Sequence, residues 1–479
     1  MNSKKYCGKT KIVCTIGPSV ATVDKIVQLI DAGMDAARLN FSHGTQNEHL
    51  NYIQNIRKAT KITGKNIAII QDLQGPKIRI GKLHTEPIVV KKNDKIIITT
   101  DSDFYSHKSS ELKIPTTYMN LPQDVKKGDK ILIDDGKIEL TVINVKGSNI
   151  TCKVIDGGEL YSNKGINLPG VAVSSPALTE KDKNDLDFGI KHGIDYCALS
   201  FVRSTSDIEE IKKYITQNSK QHIPVIAKIE KPEALNRLDD IIKIADCVIV
   251  ARGDLGVEIS LEEVPLIQKE IIRKCNELGK PVIVATQMLE SMINNPRPTR
   301  AEVSDVANAV LDGADAVMLS GETSVGKYPI DAVKIMDKIA KSVEKKHVHN
   351  FSSGNLYNSL ARSAVGLSDQ LEASAIIVIT FSGEAAIRVA NFRPAAPIIA
   401  VTENESVSRK LNLVWGVQSI VLRNLKNNTA LAFEKIQKKL LDEGLIEKGN
   451  IVVMLAGLPL FEQHLLNTIK IFYVENGAD

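Results

Sequence analysis

Lys228 and Glu230 stand two residues apart where a short apolar run, Val225-Ile226-Ala227, meets charge, and Asp254 follows just past the end of the next apolar run. In an extended chain, side chains two apart point the same way, so Lys228 and Glu230 project together from a strand end. Two carboxylates and one ammonium converging at adjacent strand ends suit a divalent ion and an anionic substrate. The carboxylates hold the metal and the lysine faces developing negative charge. A surface ion pair beside a turn is the bland alternative. Charges that end buried runs favour a catalytic site, because that is where barrel enzymes place their chemistry.

Such a site needs strands to carry it. Short β-rich runs at 12–16, 36–40, 67–72, 196–201, 225–229, 247–251, 282–286 and 316–319 alternate with amphipathic helical patterns at 23–32, 48–63, 180–192, 207–217, 233–245, 266–278, 300–311 and 331–344. Eight such pairs predict a (β/α)8 TIM barrel. About a hundred residues separate the third strand from its helix, more than a connection needs. Runs at 88–90, 95–99, 130–133, 138–145 and 150–154, punctuated by turns such as Asp134-Asp135-Gly136, predict an inserted all-β domain positioned as a lid. Residues 345–350 read as a further boundary, with a smaller open α/β domain beyond, its strands at 375–380, 398–401, 419–422, 451–455 and 469–474. The expected organisation is barrel 1–75 and 177–345, lid 76–176 and C-terminal domain 346–479.

The 479 residues exceed a single-core domain, and 43% hydrophobic with 25% charged residues is ordinary globular composition. A net charge of +4 from 61 basic and 57 acidic residues, with aromatics at 4%, argues against nucleic acid. Six cysteines form no Cys-x-x-Cys pair and read as reduced core residues of a cytoplasmic protein. No apolar run is long enough for a bilayer, so no membrane association is expected.

Other segments carry candidate binding groups. Arg38 and Asn40 share one face of a strand end, with Phe41, Ser42 and His43 beyond, and an arginine there can fork onto phosphate. Asp72-Leu73-Gln74-Gly75-Pro76-Lys77-Ile78-Arg79 leads into the insert and Asn163-Lys164-Gly165 leads back, so Arg79 and Lys164 can reach the cleft. Gly321-Glu322-Thr323-Ser324-Val325-Gly326-Lys327-Tyr328 nearly spells a P-loop, but Tyr328 stands where Ser or Thr must ligate Mg2+. The turn around Ser382 and Gly383 could hold a phosphate or simply cap a helix.

These segments, together with Lys11 to Pro18, Ala285 to Met292, Pro298 to Glu302 and Asp305 to Asn308, resemble the pyruvate kinase family over nearly the whole chain. The Asp72-Leu73-Gln74-Gly75-Pro76-Lys77 variant is similar to one bacterial branch. The resemblance implies Mg2+-dependent phosphoryl transfer from phosphoenolpyruvate to ADP, giving ATP and pyruvate, the last step of glycolysis. It implies Glu230 and Asp254 as Mg2+ ligands, with Mn2+ able to substitute, and Lys228 stabilising the transferring phosphoryl. Arg38 would bind the substrate phosphate, and the backbone of Gly253 and Asp254 its carboxylate. Thr286 would lie near the enolate carbon, and Asn40, Phe41, Ser42, His43, Arg79 and Lys164 on the nucleotide side.

The resemblance also implies a homotetramer with an effector site in the C-terminal domain. Glu384 beside Ser382 and Gly383 favours a sugar or nucleotide monophosphate over a bisphosphate. Family members commonly need K+ near the positions of Asn40, Ser42, Asp72 and residue 73. Here Leu73, Gln74 and Lys77 form the combination that marks K+-independent members, with the Lys77 ammonium replacing the ion. Two other readings share parts of the pattern: a Mg2+-dependent barrel lyase working through an enolate, and an inactive regulatory homologue. The lyase has no need of Arg79 and Lys164, and the inactive form should have lost Lys228, Glu230 or Asp254.

Overall fold

The computed structural model describes residues 8–101, 112–344, 356–425, 429–460 and 466–474. Eight parallel strands close a barrel: β1 (Lys11–Thr15), β2 (Ala36–Asn40), β3 (Ala68–Asp72), β4 (Tyr196–Leu199), β5 (Val225–Ile229), β6 (Cys247–Ala251), β7 (Val282–Ala285) and β8 (Ala316–Leu319). They pair in sequence order, and β1 lies against both β2 and β8. β1, β3, β6, β7 and β8 are buried along their whole length on both faces, which is why barrel strands read as largely apolar runs rather than alternating ones. One set of side chains, including Val13, Ile70, Ile226, Ile249, Ile283 and Met318, fills the interior. The other set packs outward against helices such as Val23–Ala32 and Val264–Leu278.

The helix expected over 233–245 is two, Pro232–Leu235 and Leu238–Ile244. Arg237 leaves helical geometry at φ −125° and ψ 24°, and Asp239 and Asp240 restart the second helix where its dipole favours acid.

Between β3 and helix Glu180–His192 lies a six-stranded sheet ordered Ile166–Asn167, Lys130–Ile133, Ile138–Lys146, Asn149–Asp156, Lys95–Thr99, Lys113–Pro115, with a small two-stranded partner. It buries its own apolar core of Ile96, Ile98, Leu140, Ile150 and Val154 among others. Strands Lys113–Pro115, Gly158–Leu160 and Ile166–Asn167 escape sequence reading because two or three residues carry no period. Gly75 begins the passage out of β3 at φ +65°, and a Cβ there would meet the Phe201 ring at 2.9 Å.

The C-terminal unit carries β9 (Ala375–Ile379), β10 (Ile398–Thr402), β11 (Val417–Val421), β12 (Ile451–Ala456) and β13 (Thr468–Tyr473), ordered β11-β10-β9-β12-β13 with β13 antiparallel. The boundary expected at 345–350 lies outside the described residues. This unit docks on the end of the barrel where the strands begin. Leu413 is fully buried among the interior residues and plugs the barrel floor. Around it Arg393 pairs with Asp315 at 2.9 Å, Arg409 with Asp195 at 2.7 Å, and Lys11 Nζ donates to the Val417 carbonyl at 2.8 Å. Cys14, Cys152, Cys197, Cys247 and Cys275 are buried free thiols, and Cys7 lies outside the described residues.

Candidate active site

At the opposite end of the barrel, where strands finish, four of them deliver charge to one point. Lys228 projects from the end of β5, and its ammonium lies 2.9 Å from Glu230 Oε1, 3.2 Å from Asp72 Oδ1 and 2.7 Å from Ser200 Oγ. Asp72, at the end of β3, turns its other oxygen to Arg38 from β2, whose Nε and Nη2 both approach at 2.7 Å. Arg38 Nη1 donates to Thr15 Oγ1 at 3.0 Å, and that hydroxyl donates to the Leu319 carbonyl at 2.9 Å. A chain of polar contacts therefore runs from β8 through β1, β2 and β3 to β5.

Burial sets the electrostatics. Glu230 and Asp72 are each only 1% exposed. Burial alone would raise the Asp72 carboxyl, yet the Lys228 and Arg38 charges hold it below the ordinary carboxylate range. Burial would likewise lower Lys228, but Asp72 and Glu230 outweigh it and push its pKa up, so the ammonium stays charged. Glu230 goes up, chiefly by burial, with Lys228 opposing the shift and the nearby Asp254 charge adding to it. Two carboxylates that repel in a buried site are stabilised when a cation joins them.

Glu230 Oε2 accepts the Phe201 N–H at 2.8 Å. Among the described residues Oε1 has no hydrogen-bond partner of good geometry and faces Lys228 alone. A hard divalent cation fits this donor set: one buried carboxylate oxygen without a hydrogen bond, and a second carboxylate, Asp254, close enough for its charge to be felt. No cluster of three or more His, Cys, Asp or Glu forms a protein-only cage among the described residues. Mg2+ commonly takes one or two carboxylates from the protein and keeps waters and substrate oxygens as its other ligands.

Asp254 lies in the first turn of helix Arg252–Glu258, which starts directly where β6 stops. The neighbouring Gly253 N–H donates to Thr286 Oγ1 at 2.8 Å. Thr286 follows β7 with φ +71°, so the strand ends one residue earlier than its sequence pattern suggests.

The nucleotide-side candidates gather near Arg38. Asn40 Oδ1 accepts the Ser42 N–H at 3.1 Å and shapes the turn. The Phe41 ring is buried and stacked on His49 at 4.0 Å, so it supports the turn from beneath. His43 is exposed, and its pKa is lowered by partial burial and then by the positive charges of Arg79, Lys77 and Arg38. Those three cations lie near enough for their charge to act on the imidazole. Arg79 Nη1 donates to the Asn163 carbonyl at 2.8 Å, and Lys164 pairs with Asp134 inside the insert at 2.8 Å. Leu73 is buried in the barrel's outer core, its N–H bonded to the Ala198 carbonyl at 3.0 Å.

Residues 7–333 match the family model described as pyruvate kinase, barrel domain, and 358–472 match pyruvate kinase, alpha/beta domain. The chain belongs to the pyruvate kinase family. It is 47% identical to a pyruvate kinase of Geobacillus stearothermophilus, over 98% of this chain and 81% of that one. It is 46% identical to one of Corynebacterium glutamicum, over 94% of each. A crystal structure of a pyruvate kinase from Cryptosporidium parvum superposes with a TM-score of 0.90 at 38% identity, covering 98% of this chain and 96% of the other.

Sequence reasoning missed Ser200 and Thr15, and it placed Asp72 among the strand-end and cation-region residues without its position between Arg38 and Lys228. Ser200 left no signal, since a serine after an apolar strand is common. Asp72 did leave one, because an acid closing a five-residue buried strand needs a buried partner. The P-loop look-alike is also resolved: Glu322 is buried and accepts the Leu289 and Ser320 N–H groups at 3.0 and 2.7 Å. Gly321 to Tyr328 thus pins the loop after β8 to the loop after β7.

Proposed function

We infer that this chain transfers the phosphoryl group of phosphoenolpyruvate to ADP, giving ATP and pyruvate. The observation that carries the reading is the Lys228 ammonium, buried between Asp72 and Glu230 at the strand ends, beside a Glu230 oxygen without a hydrogen bond. Glu230 and Asp254 would hold Mg2+, or Mn2+ in its place. The bound ion supplies charge neutralisation on the carboxylate and phosphoryl oxygens.

Lys228 stabilises charge spreading over the transferring phosphoryl, the main protein contribution in this reaction class. Arg38 anchors the substrate phosphate, its guanidinium already fixed by Asp72 and Thr15 so that little ordering remains to be done on binding. The Gly253 and Asp254 backbone receives the carboxylate, and Thr286 stands at the enolate carbon. Asn40, Ser42, His43, Arg79 and Lys164, with the Phe41 backbone, form the nucleotide side, where the cations around a neutral His43 attract polyphosphate. The β-rich insert acts as the lid. It must surrender the Lys164–Asp134 pair if Lys164 is to reach the nucleotide.

K+ is not required on this reading. Arg38 and Lys228 already occupy both oxygens of Asp72, and Lys77 adds a further cation near His43, so a monovalent ion has little uncompensated charge to answer. A homotetramer with a monophosphate effector at Ser382 and Gly383 completes the proposal. Glu384 there is held by Arg388, which offsets only part of its repulsion for phosphate.

A coupled assay for ADP-dependent pyruvate formation from phosphoenolpyruvate tests the reading. Absence of activity with Mg2+ and ADP present overturns it.

A further inference from the structure

Thr286 is a β-branched residue held at φ +71°, and Gln287 follows at φ +54°. For a β-branched side chain this conformation is a genuine outlier, retained only where surrounding contacts impose it. Arg252 supplies those contacts. Arg252 Nη2 donates to the Thr286 carbonyl at 2.6 Å and lies 2.9 Å from Met288 Sδ. Its other terminal nitrogen, Nη1, donates to Asp305 Oδ1 at 2.7 Å and to Gln268 Oε1 at 3.3 Å. Asp305 belongs to helix Arg300–Leu311 and Gln268 to helix Val264–Leu278, so the fork draws on two outer helices to hold one loop. The Arg252 side chain is 11% exposed.

We propose that Arg252 is a positioning residue that, anchored by Asp305, holds Thr286 in its strained conformation and thereby fixes where its hydroxyl sits. The inference rests on the assignment of Thr286 to the enolate side. The planar guanidinium is what the geometry requires, because it spans the Thr286 carbonyl and the Asp305 carboxylate at once; a lysine ammonium is a point donor that cannot serve both. The Thr286 hydroxyl meanwhile accepts from Gly253 N–H at 2.8 Å and donates to the Ala285 carbonyl at 2.5 Å. The clamp grips the Thr286 carbonyl while the hydroxyl makes its own contacts, so Arg252 acts on the hydroxyl only through the Thr286 backbone.

The test compares Arg252→Met, Arg252→Lys and Asp305→Asn with Thr286→Ala and with the Thr286→Ala/Arg252→Met pair, on full-length protein. Misplacing one reacting group by about 1 Å costs up to about a hundredfold, so Arg252→Met should lower kcat by about tenfold to a hundredfold. KM for ADP should stay within about twofold, Arg252→Lys and Asp305→Asn should fall between, and Mg2+-dependent deuterium exchange into the pyruvate methyl group should drop in parallel. Adding Arg252→Met to Thr286→Ala should cost less than about threefold more, because the two act as a unit. Multiplying effects, or an Arg252→Met enzyme with unchanged kcat, overturn the clamp alone. An unaffected Thr286→Ala enzyme overturns the assignment beneath it and the clamp with it. If Arg252→Met does not fold, Asp305→Asn decides: a normal kcat and exchange rate reject the proposal.

Discussion

Lys228 Nζ lies 2.9 Å from Glu230 Oε1, although the two residues are separated by a single residue at the end of one strand. Their side chains point to the same side of β5, so the barrel brings a cation and a buried carboxylate together without any loop having to close. The same proximity, with Asp72 beside it, favours the charged form of Lys228.

Lys228→Met should fold normally and lose kcat by two to three orders of magnitude, since deleting a group that acts on transition-state charge costs roughly 3–4 kcal/mol. KM for phosphoenolpyruvate should change little. Steady-state kinetics decide, and a near-normal kcat removes Lys228 from the mechanism.

Asp72→Asn leaves Arg38 without its buried carboxylate and should destabilise the fold by roughly 3–5 kcal/mol at neutral pH. The folded-state pKa of Asp72 is depressed, so its stabilisation is complete above the unfolded carboxylate value and is lost as pH falls through the folded one. The gap between the parent and Asp72→Asn in urea unfolding should therefore narrow below about pH 4. A gap that widens on acidification contradicts the assignment.

With Mg2+ and tetramethylammonium as the only cations, activity should be nearly complete, and Lys77→Glu should create a K+ requirement. Stimulation of the parent enzyme by K+ of about tenfold, equal to about 1.4 kcal/mol of transition-state stabilisation, would show that Lys77 does not replace the ion.

Leu413→Ala empties the barrel floor and should cost about 2–5 kcal/mol. Trp415, the sole tryptophan of the sequence, lies against Arg393 and Lys9 at the same junction, so its fluorescence reports undocking. The urea midpoint read from fluorescence should fall, and should precede the loss of far-ultraviolet ellipticity. Unchanged midpoints would mean that Leu413 contributes nothing to docking.

The sequence alone determined the eight strands, their helices and the placement of Lys228, Glu230 and Asp254 at strand ends, because each rests on a local period or on one charge interrupting one apolar run. It also isolated an insert after β3, since a hundred residues of β pattern cannot be a connection. It divided one helix too few at Arg237, where a single backbone torsion decides. Only the tertiary structure could set Asp72 between Arg38 and Lys228, bring Ser200 to the lysine, seat Leu413 in the barrel floor, and turn Arg252 onto the Thr286 carbonyl. Each of those relations joins residues from different strands or different halves of the chain. Curling the strands into a barrel and docking the C-terminal unit on its floor make them neighbours, and burial then makes them matter, because a buried charge with no partner would cost more than the fold can supply.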